Sequence, residues 1–328
     1  MKRFAYLGVF VVGLALVLVA GCSSLDKQSV SEQLLALPGN ESLAPHLETH
    51  ALPLNFPGVD EVVELKVLRM PRPGAPRLLL IHGTPGTLLN WSESLRGSED
   101  FEGLEAFFDV TALELAGHGM SRDDLQPETF QECADFLSAA ADALDIEPSI
   151  VVGHSYGGEV AWRFALDRPE LVEALVLISS SGYTRADDEW LPEEQAMRDL
   201  PGAGLGWLLN ARDRVDHALA PHFRGNPPAD FSEETFLVCE NSANWRTMVN
   251  LARDENGLRS GELKNLTMPT LLLWGEDDVA YPIERFAQRF ATDIPDSELI
   301  VVEACGHYLP QERPDEFVRL LREFSLAP

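Results

Sequence analysis

Val151-Val152-Gly153-His154-Ser155-Tyr156-Gly157-Gly158 is the most informative stretch of this chain. An apolar run, Ile150 to Val152, leads into the pattern Gly-x-Ser-x-Gly, and a helical pattern follows from Glu159 to Ala165. A serine on so sharp a strand–turn–helix junction is exposed above the sheet, where it can act as a nucleophile. Glycines two residues to either side lack the Cβ atoms that would collide as strand and helix close on each other. The stretch therefore predicts a nucleophile elbow in an α/β protein.

The charge of the chain limits its partners. The 328 residues include 53 acidic and 25 basic side chains, which gives a formal net charge of −28. Nucleic acids and anionic membrane surfaces both favour Lys and Arg, so nucleic acid is excluded as a partner. A small, neutral or cationic substrate fits this charge better than a polyanion does.

The first residues have the pattern of a targeting segment. Met1-Lys2-Arg3 is basic, Phe4 to Ala20 is uncharged and apolar, and Leu18-Val19-Ala20-Gly21-Cys22 follows. This last stretch resembles the lipobox of bacterial lipoproteins. The resemblance implies a signal peptide over residues 1–21, cleavage before Cys22 and acyl chains on that cysteine, which anchor the protein without spanning the membrane. An uncleaved anchor helix is the alternative.

The lipobox also implies a location. Lys2 and Arg3 keep the start of the chain cytoplasmic and send the domain across the membrane. Ser23, rather than Asp, follows Cys22, and in Gram-negative lipoproteins this goes with sorting to the outer membrane. We therefore expect a lipid-anchored protein of the bacterial cell envelope, on the outer membrane and facing the periplasm.

Buried-type strands alternate with helical patterns along most of the chain, which is typical of a doubly wound, mostly parallel sheet. An antiparallel edge strand is expected at 62–68. Further strands are expected at 77–81, 109–113, 150–152, 174–179, 270–274 and 299–302. The alternation stops between about 182 and 265, where helical stretches predominate. The predicted organisation is a lipidated tether (22–55), a first core part (56–182), a helical lid insertion (183–265) and a second core part (266–328).

Two later motifs supply groups that could activate Ser155. Gly275-Glu276-Asp277-Asp278 follows one buried strand, and Cys305-Gly306-His307 follows the next. Parallel strands bring their carboxyl ends to one edge of a sheet, so Ser155, an aspartate and His307 are expected to meet there. Their order, Ser then Asp then His, is the order of an α/β-hydrolase triad.

With these motifs the chain resembles a lid-bearing α/β hydrolase of the esterase, epoxide hydrolase and C–C hydrolase type, over roughly residues 60–325. The matching stretches are 82–86, 117–121, 153–158, 275–278 and 306–307. The resemblance implies Ser155 as nucleophile, His307 as general base and an aspartate that orients it. Asp278 is the expected acid, with Asp277 as the alternative. The backbone N–H groups of Thr84 and Tyr156 are expected to form the oxyanion hole.

Other chemistry-bearing residues near these motifs are expected to be structural. His82, His118 and His154 are expected to shape loops, and Glu114, where relatives carry Asp, to affect loop packing. Besides Cys22 the chain has three cysteines, whose spacing indicates neither a disulfide framework nor a metal site. No cofactor or metal is expected.

Serine at the nucleophile position disfavours epoxide hydrolases and haloalkane dehalogenases, which form an ester on a carboxylate. The leading hypothesis is a carboxylesterase that cleaves neutral small esters, lactones or thioesters through an acyl-enzyme on Ser155. A C–C bond hydrolase and a cofactor-free haloperoxidase use the same triad. A catalytically silent surface binding lipoprotein is the alternative of another class. The substrate and the oligomeric state stay open.

Overall fold

One eight-stranded sheet organises the protein, in the order β1-β2-β4-β3-β5-β6-β7-β8 in a computed structural model. The structure describes residues 27–56, 59–121, 125–186, 189–199 and 212–326, so the predicted signal peptide and Cys22 lie outside the described residues. The strands are β1 Leu47–Phe56, β2 Val59–Met70, β3 Arg77–Ile81, β4 Asp109–Leu113, β5 Ser149–His154, β6 Val172–Ile178, β7 Thr270–Gly275 and β8 Ser297–Val302.

The sheet is mostly parallel, as predicted. Only β1 with β2 and β2 with β4 pair antiparallel, and every pairing from β4 through β3 to β8 is parallel. The central strands β5 and β7 are buried along their whole length, because helices cover both faces of the sheet. This arrangement places the carboxyl ends of β5, β6, β7 and β8 side by side.

Helices cover the two faces and form the insertion. They are α1 Lys27–Leu35, α2 Ser92–Arg96, α3 Phe130–Ala143, α4 Tyr156–Asp167, α5 Pro192–Asp199, α6 Arg212–Leu219, α7 Ala229–Glu240, α8 Ser242–Asp254, α9 Ala287–Asp293, α10 Leu309–Glu312 and α11 Pro314–Ser325. Side chains of α3, α4 and α9 belong to one large hydrophobic cluster, and those of α1, α2 and α11 belong to a second. No helix among the described stretches is long and apolar enough to cross a membrane.

The insertion is mainly helical, as the sequence predicts. Between the end of β6 at Ile178 and the start of β7 at Thr270, the described residues contain α5 to α8 and short 3-10 turns but no strand. These helices lie above the carboxyl edge of the sheet, since several of their residues line the same cavity as Ser155.

The predicted tether is wrong for the residues from Lys27 onward. They form α1 and β1, and β1 pairs with β2 along ten residue pairs, so the edge strand is β1 and not residues 62–68. The pattern of β1 is weak because its partly buried Leu47 and Leu52 are separated by polar and exposed residues. Backbone hydrogen bonds to β2 hold this strand in the sheet. Such bonds do not require particular side chains, so the residue types give little indication of the strand.

The N-terminal segment also contacts the insertion. Val30 and Leu34 of α1 belong to the same buried cluster as Leu237 and Val238 of α7. Beside them Glu234 of α7 is buried, and Asn40 Nδ2 donates to its Oε2 at 3.2 Å. Asn90 Nδ2, from the loop after β3, donates to the other carboxylate oxygen. Glu234 therefore connects the N-terminal segment, the core and the insertion.

Glu234 is expected to make stability pH-dependent. Burial raises its pKa from 4.5 to about 8, so the folded protein holds a proton that the unfolded chain releases above pH 4.5. The free energy of unfolding should therefore fall as the pH rises from 4.5 to 8. Over this pH range, Glu234→Gln should reduce the pH dependence of the free energy of unfolding by up to roughly 1.4 kcal/mol per pH unit. Urea unfolding at several pH values measures it, and the exposed Glu41→Gln should keep the wild-type slope.

Candidate active site

Ser155 occupies a strained turn between β5 and α4. Its backbone has φ 55° and ψ −123°, in the region that side chains other than glycine rarely adopt. The Ser155 N–H donates to the Ile178 carbonyl at 2.9 Å, and its carbonyl accepts from the Gly158 N–H at 2.9 Å. A Cβ on Gly157 would lie 2.1 Å from the His82 carbonyl oxygen, and one on Gly153 2.4 Å from the Gly157 carbonyl oxygen. The turn that holds the serine therefore has no room for a side chain at either glycine of the Gly-x-Ser-x-Gly pattern.

Asp278 and His307 form a buried pair after β7 and β8. His307 Nδ1 lies 3.1 and 3.2 Å from the two carboxylate oxygens of Asp278. The backbone N–H groups of Ala280 and Tyr281 donate to Asp278 Oδ1 at 2.9 and 3.0 Å. Burial raises the pKa of Asp278, but the His307 charge and these hydrogen bonds outweigh it, so the pKa lies below its usual range. The carboxylate is therefore ionised and fixes the proton of the imidazole on Nδ1.

The alternative acid, Asp277, points elsewhere. Its exposed side chain forms an ion pair with Arg224 of the insertion, and its backbone N–H donates to the Cys305 carbonyl at 2.8 Å. Only one of two adjacent side chains can turn inward at this turn. The geometry therefore favours Asp278 over Asp277 as the partner of His307.

Ser155 and His307 line one cavity of about 510 Å³, a volume in the usual range for small-ligand sites. Thr84 and Tyr156 line the same cavity. Tyr156 is the first residue of α4, and first-turn N–H groups have no acceptor within their own helix. The positive end of α4 therefore adjoins Ser155, where it favours developing negative charge.

The three other histidines of the motifs support loops. His118 Nε2 lies 2.5 Å from Thr84 Oγ1, and His154 Nε2 lies 2.9 Å from the His307 carbonyl. His82 Nδ1 lies 2.8 Å from the Gly83 carbonyl, and its Nε2 accepts from the Leu115 N–H. Burial lowers the pKa of both His118 and His154 to about 3, so both are neutral at pH 7. The described lining of the cavity includes none of the three.

Glu114 connects the loops after β3 and β4. Its carboxylate, which is fully buried, accepts from Thr87 Oγ1 at 2.8 Å, from the Leu88 N–H at 3.2 Å and from the Met120 N–H at 3.3 Å. The first loop carries Thr84, which lines the cavity, and the second carries His118, which contacts Thr84. Glu114 thus contributes to loop packing and has no contact with the cavity lining described here.

Removing this carboxylate should destabilise the fold. Glu114→Ala leaves one hydroxyl and two backbone N–H donors buried without an acceptor, which should cost about 3 kcal/mol or more. Urea unfolding measures the loss. The exposed Glu105→Ala is the control and should change the free energy of unfolding by less than about 0.5 kcal/mol. Equal stability of both variants would contradict this role for Glu114.

The insertion contributes residues to the site that no sequence motif identified. Arg185, Glu194 and His222 line the cavity, and the His222 carbonyl accepts from the His307 N–H at 2.7 Å. Arg214, His217 and Thr235 also line it, and apolar insertion residues form most of the remaining wall, among them Trp190, Leu191, Val215, Leu219, Trp245 and Met248. The polar insertion residues could not be identified from the sequence as part of the site, because their position depends on how the insertion folds back over the sheet.

No group of three His, Cys, Asp or Glu side chains that could hold a metal ion occurs in the described part of the chain. Cys133, Cys239 and Cys305 are buried free thiols. Burial raises the pKa of Cys239 to about 12, so this thiol is protonated at neutral pH and is not a nucleophile.

Known proteins resemble the chain over most of its length. The hydrolase YugF of Bacillus subtilis is 26% identical over 271 residues, which cover 77% of this chain and 90% of YugF. A 2-hydroxy-6-oxononadienedioate/2-hydroxy-6-oxononatrienedioate hydrolase of a Pseudomonas species is 26% identical over 257 residues, which cover 75% of this chain and 87% of that hydrolase. The crystal structure of a bacterial membrane phospholipase A superposes on this chain with a TM-score of 0.69 and 24% sequence identity. The superposition covers 99% of this chain and 98% of the phospholipase, and it shows a similarity of fold.

The alpha/beta hydrolase family matches residues 78–320, which is well over half of the chain. The matched range includes the elbow, the Asp278–His307 pair and the insertion. The protein is therefore a hydrolase that belongs to the alpha/beta hydrolase family.

Proposed function

We propose that the protein is a serine carboxylesterase that cleaves neutral small esters, lactones or thioesters. The observation that carries this proposal is the buried Asp278–His307 pair, whose histidine lines the same cavity as the strained Ser155. His307 takes the proton of the Ser155 hydroxyl as the serine oxygen attacks the carbonyl carbon. The alcohol or thiol then leaves with that proton, and water releases the acyl group from Ser155 by the same steps.

The N–H groups of Thr84 and Tyr156 are proposed to hold the negative oxygen of the tetrahedral intermediate. Thr84 lies in the loop after β3 and Tyr156 at the start of α4, and both line the same cavity as Ser155. Donors fixed in the backbone do not need to reorient when charge develops, and one such donor typically contributes a factor of about 10²–10³ to turnover. The apolar wall formed by the insertion excludes water, which strengthens these interactions.

A panel of p-nitrophenyl esters of increasing acyl length tests the proposal. Hydrolysis that is lost after treatment with a fluorophosphonate, together with a mass-mapped adduct on Ser155, supports it. A folded protein that forms no adduct and hydrolyses no ester would instead favour the silent binding protein. Hydrolysis with the adduct on another residue would contradict the proposed site.

A C–C bond hydrolase is the second candidate, because the Pseudomonas relative bears that activity in its name. The substrate in that name is a dioate and carries two carboxylates. In this cavity the Arg185 guanidinium already pairs with Glu194 at 2.8 Å, so its charge is balanced. A neutral ester needs no cation of the cavity, whereas a dioate would have to bind Arg214, the other arginine of the lining, and we therefore rank the ester first. Cleavage of a 2-hydroxy-6-oxo-dienoate faster than of any ester would reverse this order.

We also propose that Cys22 carries the lipid that anchors the enzyme in the cell envelope. Lys27, where the described structure begins, is five residues after Cys22, so the chain can separate them by at most about 18 Å. The domain would therefore lie close to the bilayer. Cys22→Ser should prevent incorporation of radiolabelled palmitate and release the protein from the membrane fraction. Membrane association that survives this substitution would contradict lipidation.

A further inference from the structure

Glu194 and His222 form a polar pair among the mostly apolar residues that line the cavity. Glu194 Oε2 accepts from Arg185 at 2.8 Å and from the Leu191 N–H at 3.0 Å. Its other oxygen, Oε1, lies 3.8 Å from His222 Nε2. This distance is too long for a direct hydrogen bond and too short for an atom in line between the two, but one hydroxyl placed to the side of both, within the cavity, could hydrogen-bond to each.

The position of His222 beside His307 indicates which part of an ester the pair would contact. The His222 and His307 rings are 5.8 Å apart, centroid to centroid, and their segments are joined by a backbone hydrogen bond of 2.7 Å. A general acid must lie within hydrogen-bond reach of the oxygen that it protonates. A group beside His307 therefore contacts atoms close to the leaving oxygen and not the far end of the acyl chain.

The chemistry of the pair suits a neutral hydroxyl. Burial and the charge of His307 lower the pKa of His222 to about 4, so at pH 7 its imidazole is neutral and can donate from one nitrogen. Glu194 can only accept, and its negative charge is balanced by Arg185. A hydroxyl can donate to the carboxylate and accept from the imidazole at once, whereas a cation would find its counter-charge already paired.

We propose that Glu194 and His222 bind a hydroxyl on the alcohol part of the substrate, so that monoesters of diols or triols are preferred over esters of simple alcohols. The proposal rests on the proposed esterase function. It makes the two residues determinants of specificity that do not take part in the chemical step. Esters of ethylene glycol or glycerol belong to this class.

A matched substrate pair tests the proposal. Ethyl butyrate and 2-hydroxyethyl butyrate differ by one hydroxyl, and their rates are compared in a pH-stat after normalisation to alkaline hydrolysis. The wild-type protein should prefer the hydroxylated ester by roughly tenfold in kcat/KM, as one hydrogen bond to a charged group allows. His222→Phe keeps an aromatic ring and the backbone carbonyl at this position, and it should lower the ratio of the two kcat/KM values to near one. The same result is expected for Glu194→Gln. His222→Gln should restore part of it.

Hydrolysis of ethyl butyrate and labelling of Ser155 by a fluorophosphonate show that each variant keeps a folded, reactive site. His50→Phe makes the same exchange on β1, outside the described cavity lining, and should keep the wild-type ratio. Equal rates on both esters in the wild type, or an unchanged ratio in His222→Phe, would overturn the specificity proposal alone. Failure of the wild type to hydrolyse either ester would contradict the esterase function as well.

Discussion

Ser155→Ala is expected to lower kcat for p-nitrophenyl ester hydrolysis by a factor on the order of 10⁴ to 10⁶, because the acyl-enzyme can no longer form. The Thr84 and Tyr156 N–H groups remain in place, so a residual rate above that of buffer is expected. Steady-state kinetics with active-site titration of the wild type measures the loss. The substitution removes one oxygen and keeps the Cβ, so the strained backbone at φ 55° should be retained.

The control for this substitution is Ser138→Ala on α3. The Ser138 hydroxyl donates to the Ala134 carbonyl one turn earlier in its own helix, away from the cavity. Its variant should keep kcat within about twofold, since surface changes rarely shift stability by more than about 0.5 kcal/mol. Thermal unfolding of Ser155→Ala should match that of the wild type. Full ester hydrolysis by a folded Ser155→Ala protein would refute the assignment of the nucleophile.

The second large effect is expected from Asp278→Asn, which should lower kcat by about 10³- to 10⁴-fold. The amide can donate a proton to His307 Nδ1, which favours the tautomer with its proton on Nε2, and that nitrogen can then no longer accept the proton of Ser155. The amide also leaves the imidazolium without a counter-charge beside it, since Asp278 Oδ1 and Oδ2 are the atoms 3.2 and 3.1 Å from Nδ1. KM should change little, because Asp278 is not among the residues that line the described cavity.

Asp277→Asn is the matched control, one residue away and with the same change of atoms. Its carboxylate pairs with Arg224 at the surface, where an ion pair contributes little. This variant should keep kcat within about threefold. A larger loss in Asp277→Asn than in Asp278→Asn would show that the acid of the triad is Asp277.

The motifs at the ends of the buried strands made most of the sheet and three residues of the site predictable. Strands buried on both faces read as continuous apolar runs, and the turn after each run carries residues such as Ser155 and His307 that meet at one edge. Weakly patterned elements were not predictable. The strand β1 was interpreted as tether because its first seven residues show no clear apolar alternation, while its pairing with β2 is made by the backbone.

Sequence patterns were sufficient to predict the elbow around Ser155, the order of serine, acid and histidine, and a mainly helical insertion before β7. These features depend on local backbone geometry and on strand order, which neighbouring residues specify. The folded structure was needed to show that Asp278 and not Asp277 faces His307, and that Glu194 and His222 reach the cavity. Both outcomes depend on contacts between segments far apart in the chain, such as the bond from the His307 N–H to the His222 carbonyl, 85 residues earlier. Packing of the insertion over the sheet sets those contacts, and no local pattern encodes it.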